Sequence, residues 1–145
     1  MINFEHTHPE AIETVLLVDD DTFFHIACKR LMQRSGLVKT LICYPMAVDA
    51  LAFLSRSDRP CVDVIFLDIN MPKMNGFEFL EEAVTRFGTD FCRKIVVMLT
   101  SSLDARDVAR AKACSAIDSY VNKPLSHEHI ASIAGKLKAG REKLG

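Results

Sequence analysis

Asp68 closes the apolar run Val64-Ile65-Phe66-Leu67 and is followed by Ile69-Asn70-Met71-Pro72-Lys73-Met74-Asn75-Gly76. A short apolar run bounded by turn formers reads as a strand buried on both faces, and an acid where such a strand emerges is unusual. A second acidic group, Asp19-Asp20-Asp21, ends the run Val15-Leu16-Leu17-Val18. Two strand-end carboxylate clusters suggest a hard-cation site with a reactive carboxylate beside it. Thr100 and Lys123 follow two further apolar runs and add a hydroxyl and an ammonium. Each has an ordinary reading when taken singly. A strand-end Asp is commonly a turn former, Asp21 or Thr22 reads as a helix start, and a single lysine is normally solvated. The conjunction at successive strand ends is what carries chemistry.

The elements that must position these groups alternate along the chain. Val15–Val18, Leu37–Tyr44, a run ending at Asp68, Lys94–Leu99 and Ile117–Val121 read as five strands. Between them lie amphipathic stretches: Phe24, Cys28 and Leu31 stripe the first; Ala47, Leu51 and Leu54 the second; Phe77, Leu80, Val84 and Phe87 the third. An Ala-rich helix is predicted around Asp104–Ala113, and Ile130, Ile133, Ala134 and Leu137 stripe the last. Asn75 with Glu78 three residues on has the spacing of a capping box. Five strand–helix units imply an α/β fold, a doubly wound parallel sheet with right-handed crossovers. The carboxyl ends of its strands would share one edge. Residues 1–12 read as an N-terminal extension, 13–138 as the domain and 139–145 as a short basic tail.

Bulk properties exclude several classes. At 145 residues the chain can bury one full core, and a formal net charge of −1 with mixed signs offers no broad basic face for nucleic acid. Five dispersed cysteines, without a Cys-x-x-Cys pair, read as reduced core thiols of a cytoplasmic protein. No apolar run approaches the roughly 18 residues of a membrane span. The pairs His6/His8 and His127/His129 read as surface histidines, and the second pair is poorly set for chelation because i and i+2 do not share a helix face.

The set Asp19-Asp20, Asp68, Thr100 and Lys123-Pro124, with LDINMPKMNGFEFL and SYVNKP, resembles the receiver domain of response regulators from about Thr14 to Leu137. The resemblance implies a flavodoxin-like five-stranded sheet of order 2-1-3-4-5. It implies Mg²⁺ held by Asp19 (through water), Asp20, Asp68 and the backbone carbonyl of Asn70. Asp68 is then the phosphoacceptor, Thr100 and Lys123 contact the phosphoryl oxygens, and Pro124 follows a cis bond. Thr100 and Tyr120 would form the switch, while Asn70 and Ser102 flank the path of hydrolytic water. The function implied is a single-domain two-component regulator, no enzyme beyond catalysing its own phosphorylation and dephosphorylation. Its partners would be a histidine kinase or histidine phosphotransfer protein and a downstream protein on the face of the fourth helix, fifth strand and fifth helix, with a homodimer possible there. LTSSLDARDVARA further resembles small regulators paired with phytochrome-type histidine kinases, and the short segment after the last helix fits a stand-alone module. Two rivals remain at this stage. A haloacid-dehalogenase-like phosphohydrolase wants an acid two residues after the nucleophile, where Asn70 stands. A pseudo-receiver wants a defect in the acidic pocket, Thr or Lys.

Overall fold

The computed structural model describes residues 1–88, 91, 95–101 and 104–144, with side chains described as far as Gly140. In chain order the strands are β1 (Ile2–Asn3), β2 (Ile12–Val18), β3 (Val38–Tyr44), β4 (Val64–Asp68), β5 (Ile95–Thr100) and β6 (Ser119–Asn122). The helices are α1 (Thr22–Ser35), α2 (Ala47–Leu54), α3 (Gly76–Phe87), α4 (Ala105–Ala113) and α5 (His127–Leu144). The sheet order is β1-β3-β2-β4-β5-β6. Strands β2 to β6 reproduce the expected parallel 2-1-3-4-5 arrangement.

The expectation of five strands needs one addition. β1 pairs antiparallel with the edge of β3, Ile2 opposite Leu41 and Asn3 opposite Thr40. The Phe4 amide donates to the Lys39 carbonyl at 2.9 Å, and Thr40 Oγ1 donates to Asn3 Oδ1 at 2.9 Å. The N-terminal stretch therefore covers an edge that would otherwise present unpaired backbone groups. Two residues are too few for an alternating pattern, so this strand left no periodic signal. The expected tail likewise continues α5, which runs to Leu144.

The parallel strands bury both faces, which is why they read as continuous apolar runs. Leu16, Val18, Ile65, Leu67, Val96 and Met98 pack with α2 and α3 on one side. Val15, Leu17, Val64, Phe66, Val97 and Leu99 pack with α1 and α5 on the other. The alternation sets the register, because a slip of one residue would exchange the two cores.

Local signals stop and start the helices around the acidic edge. Asp21 caps α1, its side chain accepting from the amides of Phe23 and Phe24. The capping box is present: Asn75 Oδ1 accepts from the Glu78 amide at 2.9 Å, and Glu78 Oε1 accepts from the Asn75 amide at 3.0 Å. At α5, His129 Nδ1 accepts from the Ser126 amide at 3.0 Å, so this histidine serves the helix start.

The cysteines divide. Cys28 is buried and its thiol is pushed up to about 12, chiefly by burial. Cys43 is half-buried and pushed up to about 11 for the same leading reason. Cys114 is half-buried, whereas Cys61 is exposed, in the loop before β4, so it is no core thiol. Cys92 lies outside the described residues.

Candidate functional site

The parallel register brings the strand ends together. Val18 lies opposite Leu67, Asp68 opposite Leu99, and Thr100 opposite Asn122. Asp19 therefore leaves β2, Asp68 ends β4, Thr100 ends β5 and Lys123 follows β6 along one edge. Asp19, Asp68 and Thr100 are buried polar residues, at 0%, 5% and 1% exposure; Asp20 is exposed and Lys123 half-buried. The edge is at once a wall of the core and the mouth of a site.

One oxygen from each of Asp19, Asp20 and Asp68 lies within 4.8 Å of the others. Lys123 Nζ stands 2.5 Å from Asp19 Oδ2 and 3.6 Å from Asp68 Oδ1, so the ammonium is held mainly by Asp19. The Phe24 ring supports it from beneath, with Nζ 4.4 Å from the ring centroid. The Lys123–Pro124 bond is cis, as the resemblance implies. The Lys123 amide also donates to the Thr100 carbonyl at 2.8 Å, which ties the start of this turn to the end of β5.

Burial, then the neighbouring Asp19 charge, pushes the Asp68 carboxyl up to about 7, although Lys123 opposes the rise. For Lys123, burial works to lower the pKa. The bond to Asp19 and the charges of Asp19 and Asp68 outweigh it, and the net direction is up. Crowded carboxylates with one ammonium leave the site short of positive charge.

These residues fit Mg²⁺. Hard oxygen donors on three side chains converge, and Asp19 Oδ2 is buried with an ion pair but no aligned hydrogen bond. Such an oxygen can accept from a water on the ion. Asn70 lies exposed, two residues beyond Asp68, where the chain turns away from the sheet.

Three contributors escaped the sequence reading. Phe24 lies on the apolar stripe of α1, yet its ring also carries Lys123. His25 Nε2 lies 2.5 Å from the Asp19 carbonyl oxygen. Gly76 approaches the Asp68 backbone so closely that a Cβ there would overlap the Asp68 carbonyl oxygen and sit 3.1 Å from Met98 Sδ. A histidine six residues after an acid, or a glycine eight after one, carries no pattern of its own. Tyr120 is half-buried against the core cluster that holds Met98 and Ala111. Ser102 lies outside the described residues.

The family model for the response regulator receiver domain matches residues 15–134. The chain is similar to the probable transcriptional regulator ycf29 of Cyanophora paradoxa, 31% identical over 82% of this chain and 53% of that protein. It is also similar to the probable methanogenesis regulatory protein FilR2 of Methanothrix harundinacea, 30% identical over 86% of this chain and 80% of that one. The chain thus spans about half of the former, and 32% of a protein-glutamate methylesterase of Burkholderia thailandensis that it also matches. Among solved structures, a two-component response regulator from Cytophaga hutchinsonii superimposes with a TM-score of 0.79 at 30% identity, covering 89% of this chain and 98% of that one. The bacteriophytochrome response regulator RtBRR gives a TM-score of 0.70 at 30% identity, covering 87% and 78%. No finding supports the phosphohydrolase or the pseudo-receiver reading.

Proposed function

This chain belongs to the response regulator receiver domain family, and from that premise we propose that it is a two-component phosphorelay regulator with Asp68 as its phosphoacceptor. The observation that carries this reading is the convergence of Asp19, Asp20 and Asp68 at the strand ends, with Lys123 seated among them. Held by Asp20, Asp68, the Asn70 carbonyl and, through water, Asp19, Mg²⁺ would offset the carboxylate and phosphoryl charges.

An Asp68 carboxylate oxygen forms the new P–O bond while the P–N bond of a donor phosphohistidine breaks, and the freed imidazole nitrogen takes a proton. Lys123 leaves Asp19 far enough to meet a phosphoryl oxygen, and the Thr100 hydroxyl donates to another. Little covalent help is needed in such transfers, since positioning and charge neutralisation do most of the catalysis. The chain acts on its own aspartate alone, in the cytoplasm, with a histidine kinase or histidine phosphotransfer protein as donor. Incubation with acetyl phosphate and Mg²⁺ is expected to add the mass of one phosphate, and a chelator to block the addition. Full labelling in excess chelator would contradict the reading.

The switch belongs to the same reading. Once Thr100 turns toward the phosphoryl group, Tyr120 can rotate into the vacated space, next to a cleft of about 250 Å³ lined by Ala111, Lys112 and Ile117. The face of α4, β6 and α5 is remodelled as a result and becomes the surface for a downstream protein or a second copy. The two states need differ by only a few kcal/mol, which one charge-assisted hydrogen bond and the lysine contact can supply. Beryllofluoride, a phosphoryl mimic, is expected to shift the amide resonances of Thr100 and Tyr120 and of α4. Shifts confined to Asp68 and its neighbours would disconnect the site from this face.

A further inference from the structure

Each polar group of Asp19 has a near neighbour, although Oδ2 has an ion pair alone. Its amide donates to the Tyr44 carbonyl at 3.2 Å, its Oδ1 accepts from the Asp21 amide at 2.8 Å, and its Oδ2 faces Lys123. The remaining group is the backbone carbonyl, which His25 meets at 2.5 Å through Nε2. A carbonyl oxygen only accepts, so Nε2 carries a ring proton and donates. His25 is half-buried on the first turns of α1, where its own amide donates to the Asp21 carbonyl at 3.2 Å.

This contact closes a ring. The chain leaves β2 at Asp19, passes Asp20, is capped into α1 by Asp21, and returns after one turn to grip the carbonyl of the Asp19–Asp20 peptide. The plane of that peptide sets the direction in which the Asp20 side chain leaves the backbone. Asp20 is exposed, so its placement depends on the backbone and on its side-chain contact with Asp68. A helix anchored by its cap is a stiff base from which to hold such a peptide. Partners that orient ligands without touching the ion commonly govern affinity.

We propose that His25 is a positioning residue for the acidic site, fixing the Asp19–Asp20 peptide through Nε2 so that both carboxylates are set for a divalent cation. The inference rests on the cation reading of that site. Nothing in it requires His25 to touch the cation, the phosphoryl group or the donor. A glutamine at this position can present an amide N–H at similar reach, whereas alanine leaves the carbonyl without that donor.

The test is titration calorimetry with Mg²⁺ on the full chain, comparing the wild type, His25→Ala and His25→Gln, alongside thermal melting in chelator. His25→Ala is expected to weaken Mg²⁺ binding by about tenfold, and His25→Gln to restore it to within about twofold of wild type. Wild-type affinity in His25→Ala would overturn the proposal. So would a His25→Gln variant that binds as weakly as His25→Ala while melting like the wild type. Failure of the wild type itself to bind Mg²⁺ would remove the cation reading together with this inference, and so is told apart from failure of His25 alone.

Discussion

Asp68→Asn is expected to abolish labelling by acetyl phosphate and, in the same protein, to stabilise the metal-free fold above neutral pH. The first effect follows from loss of the nucleophilic oxygen. The second follows from electrostatics. Burial and Asp19 move the Asp68 carboxyl from 3.8 to about 7 in the fold. A group whose folded value is raised contributes stability that is complete below 3.8 and is lost as pH climbs through about 7. At pH 8 the fold therefore carries a charge it disfavours, by less than the roughly 4 kcal/mol that a three-unit rise would carry, because solvent at the open edge screens part of it. Asparagine has a similar shape and no charge to bury. In chelator, urea unfolding should show a small difference between variant and wild type at pH 4 and a gap of about 2–4 kcal/mol at pH 8. A gap that is constant or narrows with pH would mean that Asp68 is not crowded as the structure shows. Mg²⁺ should shrink the gap by stabilising the wild type preferentially.

Gly76→Ala is expected to damage stability and function together. The Gly76 amide donates to the Ile69 carbonyl at 2.9 Å and holds the loop after β4 closed. Any Cβ there collides with the Asp68 carbonyl, which is backbone and can yield only by moving the strand end. Overpacking at a rigid contact costs about 1–3 kcal/mol. A displacement of the order of 1 Å at a reacting group can cost about a hundredfold in rate. The variant should unfold at lower urea and label at least about tenfold more slowly at equal Mg²⁺. Gly135→Ala is the control, because a Cβ there meets nothing within 4 Å. In mid-helix that change should stabilise by about 1 kcal/mol. Equal behaviour of the two variants would show that the approach of Gly76 to Asp68 does not constrain the site.

What the sequence revealed and what it hid follow from the range of each interaction. Strands β2, β4 and β5 were legible because residues buried on both faces leave an unbroken apolar run. The Asn75–Glu78 box was legible because both partners lie within one turn. The gathering of Asp19, Asp68, Thr100 and Lys123 came from the resemblance and the parallel topology together, since no local pattern sets the strand order. The β1 pairing was hidden because two residues carry no period and their partner is the distant β3. The second role of Phe24 was hidden behind its first, for a core aromatic and a ring beneath an ammonium look alike in one dimension. Gly76 became informative only when the Asp68 carbonyl could be placed against it.

The central claim is that the phosphoryl group resides on Asp68 and on no other carboxylate of the acidic cluster. The most direct measurement is to label the wild type with acetyl phosphate and Mg²⁺, reduce the acyl phosphate with borohydride, and sequence the peptides by mass spectrometry. Reduction converts a phosphorylated aspartate to homoserine and so records the site permanently. The expected result is homoserine at position 68, with Asp19 and Asp20 intact and no homoserine when the chelator is present. Homoserine at position 19 or 20, or label retained in Asp68→Asn, would contradict the account.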